Sequence, residues 1–180
     1  MIAELPRLFF VGTGENGGYR SDGKNVVSQR LLGGIQEKSR VHSAGKGHCD
    51  LRVLVEKILK ETTAKIILVE IHAEATSEKL AMGYMLDGRV SALWGTHTHV
   101  PTADAMVLPK GTGYVTDLGM TGPLHSVLGI QPHLSIAKFR GDLTNRYQWA
   151  DGPTKMEAVL FTIDSATGRC ITAERVDIKE

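Results

Sequence analysis

From residue 51 onward, apolar and polar positions alternate in a regular pattern that predicts helices and strands in succession. Leu51, Leu54, Val55, Ile58 and Leu59 recur at the three- and four-residue spacing of one helix face. Residues 65–71, KIILVEI, form a short β-branched run that reads as a buried strand ending at His72. ATSEKLAMGYML (75–86) then predicts a helix, with Thr76 or Ser77 as N-cap and Asp87-Gly88 closing it. Residues 90–94 give the next strand, which runs into GTHTHV. A strand, a helix and a strand at this length predict a parallel pair.

Two short strands, at 105–108 and 113–116, flank a turn at 109–112. Residues 132–140 predict a helix with proline near its start. Residues 156–163 and 170–178 predict a terminal hairpin around Ser165-Ala166-Thr167-Gly168. The class is α/β, with the elements arranged in layers.

The first fifty residues differ. One strand-like run, RLFFV at 7–11, precedes a Gly-, Ser- and Lys-rich stretch from 12 to 50 in which only residues 26–35 suggest a short helix. So long a segment without pattern is uncommon inside a compact domain. The expected organisation is one domain over residues 1–180, made of a divergent segment (1–50) and a regular part (51–180). A length of 180 residues is enough to bury a real core.

Bulk composition mainly excludes. Hydrophobic residues at 42% and charged residues at 23% fit an ordinary globular protein. A net charge of +1 offers no nucleic-acid surface and no polybasic membrane patch. Cys49 and Cys170 have no CxxC partner, so neither a disulfide framework nor a zinc ribbon is indicated. No apolar stretch approaches the roughly 18 residues of a membrane span, and the start lacks a signal-peptide layout. A cytoplasmic setting is the expectation, and homo-oligomerisation is left open.

The candidate chemistry lies in the histidines. Alternate residues of an extended chain point to one side, so His97 and His99 face one site together if the strand's form persists through the loop. His72 ends the preceding parallel strand on the same carboxyl edge, where open α/β sheets bind ligands. Neutral imidazole is a common metal ligand. The plainer reading of an HxH pair after a strand is a solvated loop. His42, His48, His125 and His133 read more readily as surface residues. A two-metal hydrolytic centre also needs a bridging carboxylate, and Glu70, Glu74, Glu78 and Asp104 are each unconvincing in that role. Glu74 and Glu78 suit helix capping or the helix dipole instead. Lys79 suits a solvated helix face, and Asp117 a structural turn beside the site.

The stretch HAEATSEKLAMGYMLDGRVSALWGTHTHVPTADAMVLPKGTGYVTDLGMTGP (72–123) closely resembles a bacterial, 2′,3′-cyclic-nucleotide 2′-phosphodiesterase-like branch of the calcineurin-like metallophosphoesterases. The resemblance is dense from about residue 51 to the end. It implies a layered α/β sandwich with a dinuclear centre at strand ends, incomplete here on its N-terminal side. His72 and His97 would bind one metal and His99 the other, the two divalent ions being iron or manganese, with zinc as an alternative. The implied reaction is attack of a metal-bound hydroxide on a cyclic nucleotide or related phosphoester.

The chain departs from the family pattern before residue 51. Thr13 stands where an aspartate of the Gly-Asp motif is expected. Gly14-Glu15-Asn16 resembles the family's Gly-Glu-Asn motif, which would make Glu15 a metal bridge and Asn16 a ligand. No Gly-Asn-His motif is present, and His48 in GKGHCD is the nearest counterpart of a leaving-group acid. Two further readings stay beside the phosphodiesterase. One is a truncated, impaired remnant with weak metal binding and a structural role. The other is an amidohydrolase-type hydrolase, disfavoured because the chain is too short for its barrel.

Overall fold

The computed structural model describes residues 7–11, 40–42, 51–142, 144 and 146–180, with backbone alone for 7–11, 40–42 and 51–54. Its elements in chain order are β1 (Arg7–Val11), β2 (Arg40–His42), α1 (Leu51–Glu61), β3 (Leu68–His72), α2 (Thr76–Leu86), β4 (Ala92–Thr96), β5 (Met106–Val107), β6 (Gly113–Val115), β7 (Gly122–Pro123), α3 (Pro132–Phe139), β8 (Thr154–Ile163) and β9 (Cys170–Lys179).

Two sheets result. One runs β2-β3-β4-β6-β5, parallel through its first four strands and antiparallel only at β5. The other is antiparallel and built on β8: β9 lines one edge, while β1 and β7 divide the other. The predicted mixed α/β class and the terminal hairpin are both present.

The two-residue period of the strands sorts their side chains into two cores. Ile71, Leu93 and Tyr114 face the helices and pack with Val55, Met82 and Leu86. Leu68, Ala92, Trp94 and Val115 face the other sheet and pack with Val159, Phe161 and Ile163. Each Leu, Ile, Val, Met or Phe among them, if fully buried, contributes about 1.5–3 kcal/mol. On the inter-sheet face, Glu70 and His72 follow Leu68, and Thr96 follows Trp94. His72 is in register with Thr96 across β3 and β4. A polar pair therefore caps the apolar layer at the carboxyl edge.

Several boundaries move. The strand expected over 65–71 starts only at Leu68, because the Ile67 amide donates to the Ser91 hydroxyl and its carbonyl accepts from the Ser91 amide. β4 begins later than expected and runs through Thr96. Helix α2 has Ala75 as its N-cap with no side-chain cap bond, in place of Thr76 or Ser77. β2 lies in the stretch expected to be unpatterned, where backbone pairing to β3 outweighs the weak local signal. The helix expected over 26–35 lies outside the described residues.

Candidate metal centre

β3 and β4 are adjacent and parallel, so His72 and His97 leave the sheet side by side. Their rings meet edge to face with centroids 4.9 Å apart, and Nε2 of His72 lies 3.0 Å from Nδ1 of His97. The outer nitrogens are engaged as well. Nδ1 of His72 lies 3.0 Å from Thr96 Oγ1, and that hydroxyl donates to Glu70 Oε1 at 3.2 Å. Nε2 of His97 lies 2.7 Å from Glu74 Oε2.

One assignment of tautomers satisfies these contacts together. In it the single proton of Thr96 Oγ1 goes to the Glu70 carboxylate, and Nδ1–H of His72 is the donor to Thr96. A carboxylate only accepts, so Nε2–H of His97 donates to Glu74. In the neutral rings this leaves lone pairs on His72 Nε2 and His97 Nδ1, facing each other across 3.0 Å. A cation, proton or metal, would reconcile them. Two imidazole nitrogens bound at about 2.1 Å to one ion stand roughly 3.0–3.4 Å apart, the lower value at a right angle and the upper at a tetrahedral one.

The extended form of β4 does not persist through the loop. His97 has φ 120° and His99 φ 59°, a region where glycine is the usual residue and each such backbone costs about 1–3 kcal/mol. The two histidines are consequently not alternate residues of one strand, as the sequence pattern suggested. Nδ1 of His99 is buried and has no hydrogen-bond partner among the described residues, an orphan of the kind a metal satisfies. His99 does not join the other two in a common set. Among the described residues, no group of three or more His, Cys, Asp or Glu side chains is placed to hold a metal ion. The donor chemistry fits a metal, with His72 and His97 as the converging pair. Glu15, Asn16 and His48 lie outside the described residues.

Behind the loop sits an ion pair that reading the sequence missed. Lys79 is fully buried rather than solvated, and its Nζ donates to Asp117 Oδ2 at 2.9 Å, with Asp117 only 1% exposed. Removing one partner of such a pair costs about 3–5 kcal/mol. The signal was available: residues 79, 82, 83 and 86 are the buried positions of α2, spaced as one helix face. The Asp117 carboxylate also accepts the Thr98 amide, in the loop between His97 and His99.

Further polar contacts tie residues 102–104 to the end of β6. The Thr116 hydroxyl and amide both donate to Asp104, as does the Thr102 hydroxyl. Burial raises the Asp104 pKa, but these bonds, together with one from its own backbone, outweigh it and hold the carboxyl below its ordinary value. Asp104 is thus a fastener. Glu74, expected to serve the helix start, instead reaches His97. His125 and His133 are exposed, as expected. Among the described residues no helix is long and apolar enough to cross a membrane.

The chain is similar to several known proteins. The chain is 48% identical over 114 residues to the 2′,3′-cyclic-nucleotide 2′-phosphodiesterase of Bacillus subtilis (strain 168), a match covering 63% of this chain and 43% of that protein. It therefore spans under half the length of that relative. Among solved structures, a hypothetical protein from Thermus thermophilus superposes with a TM-score of 0.72 at 39% identity, covering 79% of this chain and 56% of that one. A novel phosphatase from Mycoplasma pneumoniae superposes with a TM-score of 0.70 at 35% identity, covering 79% and 52%. Residues 18–176 match the family described as YmdB-like protein, and the chain belongs to that family, as the resemblance to metallophosphoesterases led one to expect.

Proposed function

We propose that the chain carries the histidine half of a metal-dependent phosphodiesterase centre acting on cyclic nucleotides or related phosphoesters. The single observation that carries this reading is the pair of inner nitrogens, His72 Nε2 and His97 Nδ1, 3.0 Å apart with both outer nitrogens held by acceptors. Such a pair is preorganised to receive a cation. The two divalent ions implied, iron or manganese by preference, would supply charge neutralisation at phosphorus and a lowered pKa for attacking water. His72 and His97 would hold one ion, and His99, through its orphaned nitrogen, another.

The surrounding side chains do the positioning. Thr96 relays Glu70 to His72, and Glu74 orients His97, so each ring presents a lone pair inward. Glu15 and Asn16 would complete the metal set as bridge and ligand, and His48 would protonate the leaving group. The names of the relatives support the phosphoester class as substrate.

The test is hydrolysis of 2′,3′-cyclic AMP and bis(p-nitrophenyl) phosphate by the manganese-loaded chain. The expected result is turnover that falls at least about 100-fold in His97→Ala, because losing a ligand removes the ion. Turnover unchanged in that variant would contradict the reading. A second reading, a metal-binding chain with a structural role and no turnover, is favoured by one fact. Among the described residues, no three donors form a set that could hold a metal. Metal bound without hydrolysis would select it.

A further inference from the structure

We infer that Asp117, secured by Lys79, is a positioning residue that sets the backbone of the histidine loop. The inference rests on the reading of that loop as a metal-holding one, and it deepens that reading.

The Asp117 carboxylate ties together three segments. Its Oδ2 accepts the Lys79 ammonium from α2 at 2.9 Å and the Thr98 amide at 3.0 Å, while its Oδ1 accepts the Gly119 amide at 3.0 Å. Thr98 is the residue between His97 and His99. Fixing its N–H fixes the plane of the 97–98 peptide, and with it the torsion that aims His97. The neighbours on both sides have positive φ, a form that needs surrounding structure to impose it.

Position and charge both point the same way. The Lys79 stem passes Gly95, two residues before His97. A Cβ there would meet Lys79 Cδ at 2.6 Å and the Thr116 carbonyl oxygen at 1.9 Å. The Leu118 amide, just past Asp117, donates to the Gly95 carbonyl at 3.1 Å. Thr102 adds a second tie, since its hydroxyl accepts from the Asp117 amide at 2.9 Å. Charge-assisted bonds to a carboxylate are stronger than neutral ones, which suits a clamp on a strained turn. Lys79, with no exposed surface, pairs with that carboxylate away from water.

Two double variants of the full chain separate this role from mere folding. K79M/D117L removes both charges and the acceptor. K79M/D117N removes both charges but keeps an acceptor for the Thr98 amide. Thermal melting verifies that both fold. Hydrogen exchange of the Thr98 amide is then compared with that of the Leu93 and Val115 amides, and Mn²⁺ binding is measured by calorimetry.

The expected result in K79M/D117L is faster exchange at Thr98, and at Gly119 which shares the same carboxylate, with Leu93 and Val115 unchanged and Mn²⁺ bound about tenfold more weakly or worse. K79M/D117N should restore both toward the parent chain. Equal Thr98 exchange, or equal Mn²⁺ binding, in the two variants would overturn the inference. A parent chain that binds no Mn²⁺ would sink the metal-centre reading itself, while exchange at Thr98 still decides whether Asp117 sets the loop.

Discussion

The ends of β3 and β4 solve one problem in two ways. His72 leaves a regular strand, and its ring is turned by a side-chain relay through Thr96 to Glu70. His97 and His99 leave the regular strand altogether, and their backbone is bent into positive φ beside an amide held by Asp117. In the first case the sheet supplies the backbone and neighbouring side chains supply the aim. In the second, a buried ion pair supplies the backbone, and the ring of His97 takes only an exposed carboxylate as its outer partner.

That difference can be broken from either side. The largest effect is expected at Thr96→Val, which keeps shape but removes the hydroxyl between His72 and Glu70. Divalent-metal affinity, read by calorimetry, should fall about 10–100-fold, the usual cost of losing an outer partner of a ligating histidine. An unchanged affinity would show that the relay does not orient His72. A smaller effect is expected at Glu74→Gln, because Glu74 is 82% exposed. Exposed pairs contribute little, so the same titration should shift less than about fivefold. A loss as large as that of Thr96→Val would erase the contrast between the two strand ends.

Much of this fold was legible in the sequence because its signals are local. KIILVEI, ATSEKLAMGYML and the two terminal runs each announce their own element, and the βαβ order makes β3 and β4 parallel neighbours. The meeting of His72 with His97 follows from that topology. The aim of each ring does not, because it depends on contacts remote in sequence. Lys79 finds Asp117 thirty-eight positions away, and Thr96 finds Glu70 twenty-six away. A lysine within TSEK looks solvated until its spacing with Met82, Gly83 and Leu86 is read as a buried face. Glu70 looked unconvincing as a bridge between metals, and its carboxylate instead accepts the Thr96 hydroxyl. The positive φ of two histidines had little local signal, since histidine adopts it more often than most residues but far less often than glycine. Such violations of local preference are expected where function sets the geometry.

The central claim is that His72 Nε2 and His97 Nδ1 hold their lone pairs toward one cation. Long-range ¹H–¹⁵N correlation of the histidine side chains during a titration with diamagnetic Zn²⁺ tests it most directly. The account predicts that His72 Nε2 and His97 Nδ1 shift together and saturate together, while His72 Nδ1 and His97 Nε2 stay protonated throughout. Metal shifts confined to the other two nitrogens, or to neither ring, would contradict it.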